Sequence, residues 1–150
     1  MEKSTKTKNT KILVFTFRTF PWTDDLIMEF GSLQIFGKLK ESIDIFCESI
    51  LKTKPNLIIG VAKSEKDYST FEKYTVNKFN NGIIEKGGKN KFELDTPKKY
   101  SDKFKIRKEP TKSFCNYGMY KIKSFLNKND LNIPFVFVHI LQEDIKELKN

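Results

Sequence analysis

One histidine, one tryptophan, two cysteines and only two arginines occur in this 150-residue sequence, and each scarcity excludes something. Two cysteines, Cys47 and Cys115, make no disulfide framework, and a reducing compartment keeps both as thiols. No apolar run approaches the length of a membrane span. The first ten residues are polar and lysine-bearing with no apolar run behind them, so they do not read as a secretory signal. They read as a short disordered tail, residues 1–10, ahead of a single domain over residues 11–150 with a cytoplasmic address. The formal net charge is +9, yet Arg18 and Arg107 are the only guanidinium groups. Phosphate and groove recognition favours that forked group over the lysine point charge. A solvated lysine-rich surface is therefore expected, with no nucleic acid and no membrane as partner. An RNA-binding module would also need aromatics on an exposed sheet face, and the apolar segments here have the continuous pattern of buried strands.

What the sequence does have is phenylalanine, fourteen of them, concentrated in short apolar runs. Residues 11–17, 57–61 and 135–140 are continuous apolar, β-branched or aromatic segments, the pattern of strands buried on both faces. Between the first two, apolar residues at Phe36, Leu39, Ile43, Phe46, Cys47, Ile50 and Leu51 recur at helical spacing, which predicts a helix over 36–53 with Cys47 as a small core thiol. Strand, helix and strand with short joints imply a parallel βαβ unit. Residues 23–31 predict a short helical turn, capped by Thr23 with Asp24 and Asp25 behind it. Residues 71–79 read as extended and turn back at Asn80-Asn81-Gly82, and 91–94 as a short strand. Residues 100–106 are ambiguous between helix and strand, and the stretch 83–112 reads as a partly mobile loop. A helix is predicted over 113–128 and another over 142–149. The fold class is α/β, a three-layer α/β/α sandwich with a largely parallel central sheet.

Two residues carry candidate chemistry. Cys115 falls in the first turn of the helix over 113–128, where exposed backbone N–H groups and the positive dipole end favour a thiolate and can also donate to an oxyanion. His139 ends a parallel strand, on the edge where sites form in open α/β sheets. A thiol and an imidazole that meet in space are the minimum for cysteine-type acyl transfer. A third group should orient the imidazole; Glu72 is the candidate from topology, with Glu65 and Asp67 as alternatives. The plain alternative is a core thiol and a satisfied structural histidine.

Ser113-Phe114-Cys115-Asn116-Tyr117-Gly118-Met119-Tyr120 resembles the nucleophile segment of the pyroglutamyl peptidase I (pyrrolidone-carboxylate peptidase) family, in which Cys-Asn precedes a Met/Phe-Tyr pair. Phe135-Val136-Phe137-Val138-His139 is similar to its Phe-Ile-His strand, at matching separation from the cysteine. Glu72-Lys73-Tyr74-Thr75-Val76-Asn77 resembles its Glu-Arg-x-Ala-x-Asn motif. The segment from Lys54 through Ala62 resembles its Lys-Pro-Asp-strand-Gly-x-Ala, Phe36-Gly37-Lys38 opens the matching helix, and the run from Ile12 through Phe20 parallels Val-Thr-Gly-Phe-x-Pro-Phe. The resemblance implies Cys115 as nucleophile, His139 as base and then acid, Glu72 as its orienting carboxylate, and Phe17 and Phe20 packing the lactam ring of an N-terminal pyroglutamate on a peptide substrate. It implies no metal or cofactor.

The sequence also departs from that pattern. Thr16, Pro21 and Trp22 stand where the family's first loop has glycines. Lys63-Ser64-Glu65-Lys66 replaces a Gly-Arg near the oxyanion, leaving Lys66 or Arg18 as substitutes. Pro110-Thr111-Lys112 replaces an Ala-Gly before the nucleophile. The chain is shorter by tens of residues, which removes pocket wall and subunit-contact surface and leaves sheet edges with which a second copy could pair. The activity expected is removal of an N-terminal pyroglutamyl residue through a thioester. The alternative is a weak or inactive member of the same fold that binds a peptide or protein.

Overall fold

The computed structural model describes residues 11–97, 103–111 and 113–149. The expected N-terminal tail, residues 1–10, and the first part of the ambiguous 100–106 stretch lie outside them. In chain order the elements are β1 (Ile12–Phe17), α1 (Thr23–Phe30), β2 (Gln34–Phe36), α2 (Leu39–Thr53), β3 (Leu57–Lys63), β4 (Ser69–Glu72), β5 (Tyr74–Val76), β6 (Lys91–Glu93), β7 (Phe104–Arg107), α3 (Phe114–Lys128) and β8 (Phe135–Ile140), closed by a 3₁₀ helix over Gln142–Glu147.

Six strands form the central sheet in the order β2-β1-β3-β8-β4-β7. β2, β1, β3 and β8 are mutually parallel, β4 runs antiparallel to β8, and β7 is parallel to β4. Successive strand residues point to opposite faces, and the core divides accordingly. Phe15, Phe17, Ile58, Phe135 and Phe137 pack with Ile43, Phe46 and Ile50 of α2 and Cys115, Met119 and Ile122 of α3. Val14, Ile59, Val61, Val136 and Val138 pack on the other side with Leu26 of α1 and Ile145 of the 3₁₀ helix. Helices on both faces of a largely parallel sheet make the three layers.

The first face is an aromatic slab. Phe15 stacks on Phe36 with ring centroids 4.6 Å apart and meets Phe46 edge-on at 5.0 Å. Each such ring removed from water contributes about 1.5–3 kcal/mol. Gly60 makes the slab possible: it lies in register between Phe15 and Phe137, and a Cβ there would run into both rings.

Three local expectations are corrected. Phe36 belongs to β2, paired with Phe17 in parallel register, and the helix starts at Leu39; Phe36 fits a helical stripe by spacing, but it is the strand that carries its ring into the slab. Thr23 is the first residue of α1, Trp22 holds the cap position, and no side-chain cap bond forms. The final segment winds as a 3₁₀ helix over Gln142–Glu147. Among the described residues no helix is long and apolar enough to cross a membrane.

Between β4 and β7 the chain forms the small antiparallel pair β5-β6 and is tied to α3. Asn77 Oδ1 accepts from the N–H groups of Ile84 and Glu85, both at 2.8 Å, and its Nδ2 donates to Glu85 O at 2.8 Å. Tyr120 Oη–H donates to Lys89 O at 2.7 Å. Glu85 accepts from Ser124 Oγ at 2.7 Å and pairs with Lys121 and Lys128. Burial alone would push the Glu85 carboxyl upward, but those three hydrogen bonds together pull it below its ordinary value.

Candidate active site

The alternation along β8 sends Phe135, Phe137 and His139 to the face that carries α3. His139 pairs with Ala62 on one side and with Thr70 of antiparallel β4 on the other. Two residues beyond Thr70, Glu72 points to the same face. The strand geometry therefore delivers the carboxylate to the ring, with Glu72 Oε2 2.9 Å from His139 Nδ1. Glu72 is completely buried, whereas the His139 side chain retains 16% of its exposure. Glu65 and Asp67 are exposed in the loop after β3, so Glu72 is the acid that meets the histidine.

A buried carboxylate needs compensation. Thr70 Oγ1 donates to Glu72 Oε2 at 3.4 Å. Arg107, in register with Glu72 on β7, brings Nε to 3.9 Å from Oε1, while Oε1 makes no hydrogen bond among the described residues.

Cys115 lies in the first turn of α3 and is buried. Ser113 holds the N-cap position, and its Oγ accepts the Cys115 N–H at 3.1 Å. Asn116 locks the turn against β5. Its Oδ1 accepts from Thr75 Oγ1 at 2.7 Å and from the Val76 N–H at 3.0 Å. Its Nδ2 donates to the carbonyls of Val76 and Lys78, both at 2.9 Å. An amide this fully bonded gives the first turn of α3 one position. The pattern reading missed it because a polar residue on the buried side of a helix breaks the stripe; that breach was the available signal.

The Cys115 side chain lies close enough to the His139 ring to raise its pKa. Nδ1 of the ring is taken by Glu72, which leaves Nε2 to the sulfur. Burial is the largest single influence on His139 and works to lower its pKa. The side chains of Cys115 and Glu72 beside the ring outweigh it and raise the pKa to about 9. The imidazole therefore holds its proton at neutral pH. Cys47 is the contrast: burial and the nearby Asp44 push its thiol up to about 12, leaving an inert core group.

Beside Cys115, Phe17 meets Phe114 edge-on at 4.8 Å and Phe36 at 5.7 Å. With Arg18, Leu39 and Gly37 these rings line a cavity of about 170 Å³. Phe20 lies elsewhere: it is buried in the cluster of the opposite face and packs edge-on against Trp22 at 5.5 Å. Phe17 and Phe20 thus do not share a wall. Arg18 is exposed at the rim of the aromatic cavity. Lys66 is exposed in the loop after β3, with only its backbone N–H engaged, by Ser64 Oγ at 3.1 Å. Among the described residues no group of three or more His, Cys, Asp and Glu side chains is placed to hold a metal ion.

No protein-family model and no curated protein matches the sequence. Solved structures do. The chain is similar to pyroglutamyl peptidase I from Bacillus amyloliquefaciens, with a TM-score of 0.73 at 17% identity over 90% of this chain and 82% of that one. It is also similar to pyrrolidone carboxyl peptidase from Thermococcus litoralis, at 0.69 and 14% over 86% and 75%. A variant of the Pyrococcus furiosus pyrrolidone carboxyl peptidase matches at 0.68 and 15% over 93% and 86%. The chain has the pyroglutamyl peptidase fold in a divergent form.

Proposed function

We propose that this chain is a cysteine peptidase that removes an N-terminal pyroglutamyl residue from peptides, with Cys115 as nucleophile, His139 as acid and base, and Glu72 as the residue that orients the ring. One observation carries the reading: His139 is hydrogen-bonded to a fully buried carboxylate, and a thiol in the first turn of a helix lies close enough to the same ring to raise its pKa. A structural histidine has no need of a buried anion behind it and a thiol in front. The aromatic cavity beside Phe17, Phe36 and Phe114 supplies flat apolar walls for a lactam ring. Phe20 supports those walls only from across the sheet.

The chemistry follows from the proton inventory. The Cys115 thiolate attacks the pyroglutamyl carbonyl carbon, forming the C–S bond and an oxyanion. The His139 imidazolium gives its proton to the departing amine as the C–N bond breaks, leaving a thioester and a shortened peptide. The now neutral imidazole takes a proton from water, the hydroxide oxygen adds to the thioester carbon, and the C–S bond breaks. Pyroglutamate leaves, and the thiolate–imidazolium pair is restored. Glu72 keeps Nδ1–H directed throughout.

The oxyanion is where this chain is weakest. The Cys115 N–H is held by Ser113 Oγ, so it serves an oxyanion only if that bond opens. Arg18 at the cavity rim and Lys66 in the facing loop are the cations available in its place. One oxyanion donor is worth about 10²–10³ in rate, so turnover is expected to be slow. The same observation favours the second reading, a peptide- or protein-binding module of this fold with a residual triad. Both free cysteines are buried, which suits a reducing cytoplasm.

Release of a fluorophore from a pyroglutamyl amide by the purified protein tests the proposal. Turnover abolished by Cys115→Ser supports it. Turnover surviving that change sinks the nucleophile, and none from the unaltered protein favours the binding module.

A further inference from the structure

A second and larger cavity, about 780 Å³, is lined by a different set of residues from the aromatic one. Val76, Phe79 and Ile83 contribute apolar lining, and Lys78, Lys91 and Thr111 line it too. It is coupled to the reacting residues by covalent and hydrogen-bonded steps. Asn116, next to Cys115, donates to the carbonyls of Val76 and Lys78, both at 2.9 Å. The Phe79 ring lies 5.0 Å from that of Tyr117. Thr111 stands four residues before the nucleophile in the chain. Among the described residues none lines both this cleft and the aromatic cavity, so a substrate whose ring fills the aromatic cavity has this cleft left for its other end.

The lining has a definite chemistry. Among the described residues no aspartate or glutamate contributes to it. The Lys91 ammonium sits over the Tyr74 ring at 4.4 Å, and Lys78 is exposed. Among the described residues neither is paired with a carboxylate. Ile83 is 61% exposed, an apolar surface left open beside the two cations. The volume falls within the roughly 300–1,000 Å³ of sites that enclose a small ligand. We infer that this cleft receives the leaving portion of the substrate, and that it selects peptides with Asp or Glu immediately after the pyroglutamyl residue. This rests on the peptidase reading above and adds the substrate class.

Three peptide amides separate the possibilities: pyroglutamyl-Asp-Ala, pyroglutamyl-Ala-Ala and pyroglutamyl-Lys-Ala. Binding to the full-length Cys115→Ser protein is measured by titration calorimetry, and hydrolysis by the unaltered protein by chromatography. The expected order is Asp, then Ala, then Lys. At low salt the first and last should differ by on the order of tenfold, narrowing as salt screens the lysines. Lys78→Glu combined with Lys91→Glu should reverse the order in both assays; retained thermal unfolding shows that the doubly substituted chain is folded. Equal binding of all three peptides, an order the double substitution leaves intact, or no binding at all overturns the cleft assignment. Hydrolysis of all three at equal rates overturns it while leaving the peptidase standing. Charge-ordered binding without any hydrolysis overturns the peptidase and keeps the cleft as a site for acidic peptides.

Discussion

Glu72 Oε2 lies 2.9 Å from His139 Nδ1 across 67 residues of chain, and it does so because antiparallel β4 lies against the last parallel strand, β8. Thr70 faces His139 directly, so the residue two further on, Glu72, arrives at the ring from the same side of the sheet. The strand reversal is therefore part of the site's construction.

That pairing gives a pH signature. His139 is raised from 6.5 to about 9 in the folded chain, so its contribution to stability is complete below pH 6.5 and is lost as pH rises through about 9. The denaturation midpoint should fall across that window. Because the chain has a single histidine, one imidazole proton resonance in tag-free protein reads the titration. Cys115→Ser and Glu72→Gln should each move it well below its unaltered position.

Glu72→Gln keeps the size of the buried side chain and removes its charge. The imidazolium loses its orienting anion, and kcat on a pyroglutamyl amide should fall by on the order of 10³–10⁴, as for loss of the acid in a triad. KM should change little, because Glu72 touches no substrate. Steady-state kinetics separate the two.

Arg107 Nε donates to Glu109 O at 2.9 Å and stands 3.9 Å from Glu72 Oε1, so its positive charge lies behind the carboxylate that His139 meets. Arg107→Gln should raise the His139 titration further, whereas Arg107→Lys should leave it near the unaltered value. A merely structural role for Arg107 would move neither, and the same resonance decides.

Gly60→Ala places a methyl group against Phe15 and Phe137. Overpacking of this kind costs about 1–3 kcal/mol, to be read from urea unfolding. His139 lies two residues beyond Phe137, with ring centroids 5.4 Å apart, so activity should fall along with stability.

Ser113→Ala removes the cap on the nucleophile's own amide. Stability should drop by about 1 kcal/mol, yet kcat should hold or rise, since the Cys115 N–H becomes free for an oxyanion. A fall in kcat with unchanged helix content would mean that the hydroxyl itself assists.

The buried strands were legible in the sequence because continuous apolar runs have few other uses, and Cys115 and His139 stood out as the thiol at a helix start and the sole imidazole. Glu72 was not separable from Glu65 and Asp67 by pattern, since the choice depends on β4 being antiparallel, which no local signal encodes. Phe36 was misplaced for a related reason: a three-residue strand beside a helix inherits the helix's spacing. Phe17 and Phe20 looked like one wall in sequence, but the loop after β1 carries Phe20 to the opposite face. Asn116 shows in the sequence only as a polar break in an apolar stripe, and Arg107, which acts through a partner distant in the chain, carries no signature of its own.

The most direct test of Cys115 as nucleophile is acid-quench mass spectrometry of the protein mixed with a pyroglutamyl ester. The account predicts one pyroglutamyl acyl group on the peptide that contains Cys115, appearing before product accumulates and missing from Cys115→Ser. An adduct on Cys47, or product formed by Cys115→Ser at the unaltered rate, would contradict it.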